Sequence, residues 1–318
     1  MEDGAVSSRH DDFGPYRLLE RLGDAQVGAS YLASRTGAAG FEKQVVLRFA
    51  PLGARADVIE AARRAAYLSQ CNVAQVLDAG RAQGRFFVAC EHVGAMTLYQ
   101  WMLRRASLPW PVLAFIVAEA SSAIAYAHSR RDEQGRLLGI VHRRLSPRRI
   151  EVTDAGCVRV TGFGTAWAWP DHRGYGAPEV ARHEPVDGRA DVYALGLILG
   201  RGCTDASKPG ELDEIIARAT HPLPEHRSTG AELRRALLSL IEQKGEALHA
   251  AELSRRLEHY RGYSPSVGVS SPAASASASS SSSSTSSSAS ASAAAAASAS
   301  ASAASSSSSS SSASVAAS

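Results

Sequence analysis

Residues 139–152 read GIVHRRLSPRRIEV. Four arginines, at 143, 144, 148 and 149, crowd this short stretch. Guanidinium forks match phosphate geometry, so the cluster can form an anion site for a phosphopeptide or for a nucleotide without metal. The plainer alternative is a solvated basic loop balanced by Glu151 and Asp154. Upstream, LPWPVLAFIVAEASSAIAYAHSRR carries apolar residues at i, i+3 and i+4 spacing and predicts a long helix. Downstream, RADVYALGLILG, ELDEIIARAT, GAELRRALLSLIEQ and HAAELSRRLEHY predict further helices, the third opened by a cap region at Ser228-Thr229-Gly230.

Before Gly94 the pattern is different. YRLLERLG, SYLASRT, QVVLRFAPL and RFFVACEHV predict short strands separated by glycine-containing turns, with helical DVIEAARRAAYLSQ between the third and fourth. The expected class is α+β: a loose segment at 1–12, a β-rich lobe at 13–93, a helical lobe at 94–261 and a ligand cleft between the lobes. From Gly262 to Ser318 serine and alanine dominate and no residue is charged. Such a stretch cannot offset about 1–2 kcal/mol per residue of ordering entropy, so 262–318 is expected to be a disordered spacer.

The chain holds 34 basic and 31 acidic residues, and a net charge of +3 does not by itself imply nucleic-acid binding. Cys71, Cys90, Cys157 and Cys203 form no C-x-x-C pair and the histidines lack ligand spacing, so no metal is expected. The acidic start without an apolar core predicts no secretory signal. No uninterrupted apolar run approaches the roughly 18 residues of a membrane span. A cytoplasmic location is the expectation.

The order of motifs resembles the bacterial Ser/Thr protein kinases of the eukaryotic-like type. FGPYRLLERLGDAQVGASYLA looks like the opening strands and Gly-rich loop, VVLR like V-A-I-K, ACEHV like the hinge and HRRLSP like H-R-D-L-x-P. GFG stands at D-F-G, GAPEV at A-P-E, DVYALG at the central helix of the large lobe, and HPLPEHR at the late segment carrying an arginine partner for the A-P-E glutamate. The resemblance spans about Phe13 to Tyr260 and implies a two-lobed kinase-like fold.

It also implies a set of chemical positions, and most of them are altered. The Asp that accepts the substrate proton is Arg144, which cannot act as a general base. The two Mg²⁺ ligands become Gly162 and Arg149, neither of which offers a hard oxygen. The lysine of V-A-I-K becomes Arg48, and its helical glutamate partner falls at Ala61. Glu60 stands one position early, so a one-residue alignment slip would restore that pair. Nucleotide-cleft candidates are Gly23, Gly28, Val46, Arg48, Glu91 and Val93. Ala25 and Ser30 replace a glycine and a valine, and Val46 enlarges the alanine that packs on adenine. The residues that hold the fold persist: His142, Phe163, Glu179, Asp191 and Arg227. The Gly162–Glu179 segment is short and has no Ser or Thr after Thr165, and Gly200–Glu211 leaves no room for a substrate-docking helix.

Several residues also have plainer readings. Trp167, Trp169 and Pro170 are expected to pack a loop rather than plug the cleft. Cys90 is expected to be an inert buried thiol, and His172 and His183 surface residues.

The leading expectation is therefore a pseudokinase, a scaffold or binding module without a required cofactor, whose partner is a protein such as an active kinase or a phosphoprotein. One alternative is a transferase with a rearranged site, using Glu60, Asp154 or Asp171 as metal ligands. Another is a sensor that binds ATP without Mg²⁺ through Arg48 and Arg149.

Overall fold

The computed structural model describes residues 12–22, 30–37, 40–50, 56–104, 108–165 and 174–261. All belong to the first of two compact units, Met1–Ser266. Gly23, Ala25, Gly28, Trp167, Trp169, Pro170, Asp171, His172 and the 262–318 stretch lie outside the described residues.

The first half of the unit is an antiparallel sheet. Its strands are β1 (Asp12–Phe13), β2 (Tyr16–Arg21), β3 (Ser30–Thr36), β4 (Glu42–Phe49), β5 (Val76–Ala82) and β6 (Arg85–Glu91). They pair in the order β1-β2-β3-β4-β6-β5, with helix α1 (Ala56–Ala65) between β4 and β5 in sequence. Asp12 pairs with Arg17, so the first strand begins inside the segment expected to be loose.

The run FFVAC (86–90) in β6 is continuously apolar because both faces of the strand are covered. Successive side chains point to opposite faces. Phe87 and Ala89 join Phe13, Tyr16, Val45, Leu47 and Phe49 in one cluster, where Phe13 meets Phe49 edge-on at 4.6 Å. Phe86, Val88 and Cys90 join Ala50 and Ala62 of α1 on the other.

Two short elements, β7 (Met96–Thr97) and α2 (Leu98–Arg104), lead into the helical half. Helix α3 (Trp110–Ser129) is apolar all round, as a core helix must be. By length and composition it is apolar enough to cross a membrane, although the sequence showed no uninterrupted apolar run of that size. Burial inside the fold accounts for that composition, since 78% of its most apolar window is covered. Strand β8 (Ile150–Val152) pairs with β7 on one side and with β9 (Val158–Val160) on the other. Then come α4 (Pro178–Ala181), α5 (Arg189–Gly202), α6 (Gly210–Ala219), α7 (Gly230–Gln243) and α8 (Ala250–Arg261). Thr229 and Glu232 form a reciprocal capping box at the start of α7, satisfying two backbone donors.

Contacts at the sheet–helix junction position the cleft. Asn72 O accepts from Val160 N at 2.7 Å and Val160 O accepts from Ala74 N at 2.9 Å, tying the segment after α1 to β9. The result is a β-rich lobe and a helical lobe.

Candidate functional site

The quoted stretch wraps around one buried carboxylate. Asp191, at the start of α5, accepts from the backbone N–H of His142 and of Arg143, each at 2.8 Å, and from His128 Nε2 at 2.9 Å. Burial pushes its carboxyl up, but His128 and His142 more than offset this and hold it below the ordinary value. Arg143 takes a left-handed backbone (φ 66°) and turns its side chain to solvent. It therefore does not join the other three arginines.

His142 is buried, with its ring edge-on to Phe163 at 4.8 Å. Its Nε2–H donates to the Thr161 carbonyl at 2.9 Å, while Nδ1 accepts from the Arg144 N–H at 3.3 Å. Both nitrogens are used only in the neutral ring, and burial depresses the pKa. The unfolded chain then takes up more protons than the folded one as pH falls through about 6.5, so stability declines from that point downward. The depressed Asp191 and Glu179 add a further loss only below the ordinary carboxylate range. We expect the urea midpoint to begin falling near pH 6.5, and His142→Gln to flatten that limb.

Arginines 144, 148 and 149 line a cavity of about 420 Å³ together with Arg48. Arg48 and Arg149 are buried. The Arg149 backbone is fixed by its carbonyl, which accepts from Thr161 N at 2.8 Å. Gly162 follows at φ 95°, and a Cβ placed there would lie 3.4 Å from Arg149 Cδ and 3.5 Å from its Nη1. The two positions matching the metal ligands thus converge on each other, but they carry a guanidinium and no side chain.

The α1 residues at the expected partner position do not face Arg48 as a carboxylate. Glu60 is paired with Arg64 at 3.0 Å, Ala61 is exposed, and Ala62 is the residue that packs against the sheet. A one-residue slip therefore does not restore the pair. Arg48 Nη1 instead lies 3.7 Å from Cys90 Sγ. Burial pushes the Cys90 thiol up despite the charges of Arg48 and Arg149, so the cation absent from its sequence neighbourhood is present in space without activating it.

Among the described residues the carboxylate lining the cavity is Glu151, whose part in the cleft sequence reasoning missed. Ile150 and Val152 are buried on the core side of β8, and the two-residue alternation sends Glu151 to the other face. That alternation in IEV was the available signal. Burial raises the Glu151 pKa, and Arg48, Arg149 and Arg159 partly oppose the rise. Val46 and Ser30 line the cavity from the sheet, and His92, Gly94 and Ala95 line it near the lobe junction. Glu91 and Val93 are not among its lining residues, because Glu91 turns toward Arg159 and Gln75 N. Asp154 sits in the exposed β8–β9 turn and is not among the cavity's lining residues, and His183 is exposed.

Glu179 of α4 and Arg227 form a buried bidentate pair at 2.6 and 2.8 Å. Burial raises the Glu179 pKa, but the Arg227 bonds bring it below the ordinary value.

A β-rich and a helical lobe, a cleft with an arginine on β4, and a histidine loop anchored on a buried Asp define a protein-kinase fold. The protein kinase domain matches residues 16–214, and the chain belongs to that family. The tyrosine-protein kinase MasK of Myxococcus xanthus is 34% identical over 213 residues, covering 60% of this chain and 33% of that protein. The serine/threonine-protein kinase PknI of Mycobacterium tuberculosis is 31% identical over 228 residues, covering 66% of this chain and 36% of that protein. The crystal structure of the PknI kinase domain superposes with a TM-score of 0.59 at 26% identity, covering 74% of this chain and 99% of that one. The chain thus spans about a third of the length of these two curated relatives.

Proposed function

We propose that this kinase-fold domain does not transfer phosphate and serves in signalling as a binding module for a protein, an active kinase or a phosphoprotein. The observation that carries the reading is the approach of Arg149 to Gly162. Phosphoryl transfer relies on metal ions to neutralise developing charge, and Mg²⁺ needs several oxygens in near-octahedral array. A buried guanidinium beside a glycine does not fit that ion, so no step is assigned to it here. Arg144, at the place of the proton acceptor, stays protonated at any working pH. The buried Glu179–Arg227 pair and the Asp191 anchor keep the fold irrespective of chemistry.

A second reading, residual or rearranged ATP-dependent transfer, is supported by family membership and by relatives named as kinases. Among the described residues Glu151 is the acidic side chain that lines the cavity; Glu60 pairs with Arg64, and Asp154 is not among the lining residues. The two readings separate on Arg144→Asp. With the metal ligands still missing, that single change is expected to leave transfer to protein substrates at the blank. Transfer appearing on this reversion would support the second reading.

A further inference from the structure

Helix α7 has two faces. Leu233, Leu237, Leu240 and Ile241 are buried in the core. Ala231, Arg234, Arg235, Leu238, Ser239 and Glu242 fall at i, i+3, i+4, i+7, i+8 and i+11, a separate stripe along the helix. With Ser122 and Ala125 of α3, that stripe lines a groove of about 490 Å³ that shares no lining residue with the cavity between the lobes. At the rise of an α-helix the stripe runs about 16 Å, the reach of a peptide segment more than of a small anion.

The groove is unevenly charged. Arg235 is exposed and meets no carboxylate among the described residues, since Glu232 beside it is engaged in the α7 cap. Arg234 Nη2 lies 3.1 Å from Glu119, but its Nε–H is buried without an acceptor. Asn72 Nδ2 donates to the same Glu119 at 3.2 Å, which holds the carboxylate and so the guanidinium in place. Buried donors are normally satisfied, and an acceptor entering the groove would satisfy this one. The hydroxyls of Ser122 and Ser239 accept from Gln70 and Gln243, so each still has a proton to donate. Glu242 stands alone at the far end, about two turns beyond Arg235.

We propose that this groove docks an acidic segment of a partner protein, with carboxylates on Arg234 and Arg235 and a basic side chain toward Glu242. The inference rests on the binding role proposed above and gives it a surface. It does not depend on the absence of phosphate transfer.

The test is fluorescence anisotropy of labelled hexaglutamate titrated with the full chain, without nucleotide. Saturable binding is expected, weakened by added salt. Arg235→Glu is expected to weaken it about tenfold or more, because the reversal sets like charges against each other. Lys43→Glu makes the same change on the exposed side of β4 and is expected to leave the affinity as it was. Arg234→Gln, also expected to weaken binding, is the second variant should Arg235→Glu fail to melt cooperatively. Absence of saturable binding overturns the inference, as does binding that both groove variants leave unchanged or that Lys43→Glu weakens equally. Sedimentation of the chain alone reads the other occupant: a dimer that Arg235→Glu dissolves would assign the groove to a second copy and overturn the acidic partner. Phosphate incorporation, measured separately, tests the lack of transfer, so either reading can fail without the other.

Discussion

Arg227→Ala is expected to lower the melting temperature by about 10 °C. All five N–H donors of this guanidinium are engaged: two on Glu179, and one each on the carbonyls of His221, Arg189 and Pro222 at 2.7–3.2 Å. The ring of Tyr193 lies beneath it at 4.8 Å. Truncation leaves the Glu179 carboxylate buried without its counter-charge, a loss of about 3–5 kcal/mol, and each kcal/mol shifts the melting point of a domain this size by about 2–4 °C. Lysine supplies one charge but no fork, so Arg227→Lys is expected to recover little. Replacing both partners by apolar residues should cost less than removing either, because no charge is then stranded. Thermal melts of the three variants check this. A shift below 3 °C for Arg227→Ala would contradict the role given to the pair.

The second large effect is expected at Gly156, in the turn between β8 and β9. Its φ is 77°, and a Cβ there would lie 1.8 Å from the backbone oxygen of Ala250, at the start of α8. Ser254 Oγ of the same helix donates to the Asp154 carbonyl at 2.5 Å. Backbone cannot yield as a flexible side chain does, so α8 must shift, and with it the fully buried Leu253 and Leu257. Gly156→Ala is expected to cost about 3 kcal/mol, the scale of lost leucine packing. Gly245 supplies the control: its φ is 73° and a Cβ would meet nothing within 4 Å. Gly245→Ala isolates the backbone term, about 1 kcal/mol. Equal losses for the two variants would mean that α8 is not held by this contact.

Much of the fold was legible because several short motifs stood in one order, each with a physical requirement visible in its residues. The α7 cap is an example, where Thr229 precedes Glu232 by three positions. Strand β5 was missed. Its sequence VLDAGRA carries Asp78, Gly80 and Arg81 and has poor strand propensity, yet it pairs along the edge of the sheet with β6. Strands β8 and β9 span three residues each, too short for periodicity to register.

The site was legible by residue type more than by geometry. The residue types at Arg144, Arg149 and Gly162 could be read from the motif positions. That Arg143 turns outward while Arg48 joins the other three arginines could not, because it depends on the fold around Asp191 and on the pairing of β4. Glu151 lay within the opening quotation, and its direction was fixed by one step of strand alternation.

The most direct test of a silent cleft is transfer of the terminal phosphate of radiolabelled ATP, by the full chain, to itself and to general protein substrates with Mg²⁺ or Mn²⁺. Incorporation at the level of a protein-free blank is expected with both metals. Metal-dependent incorporation that Arg48→Ala abolishes would contradict it, and would assign the cleft of this chain to catalysis.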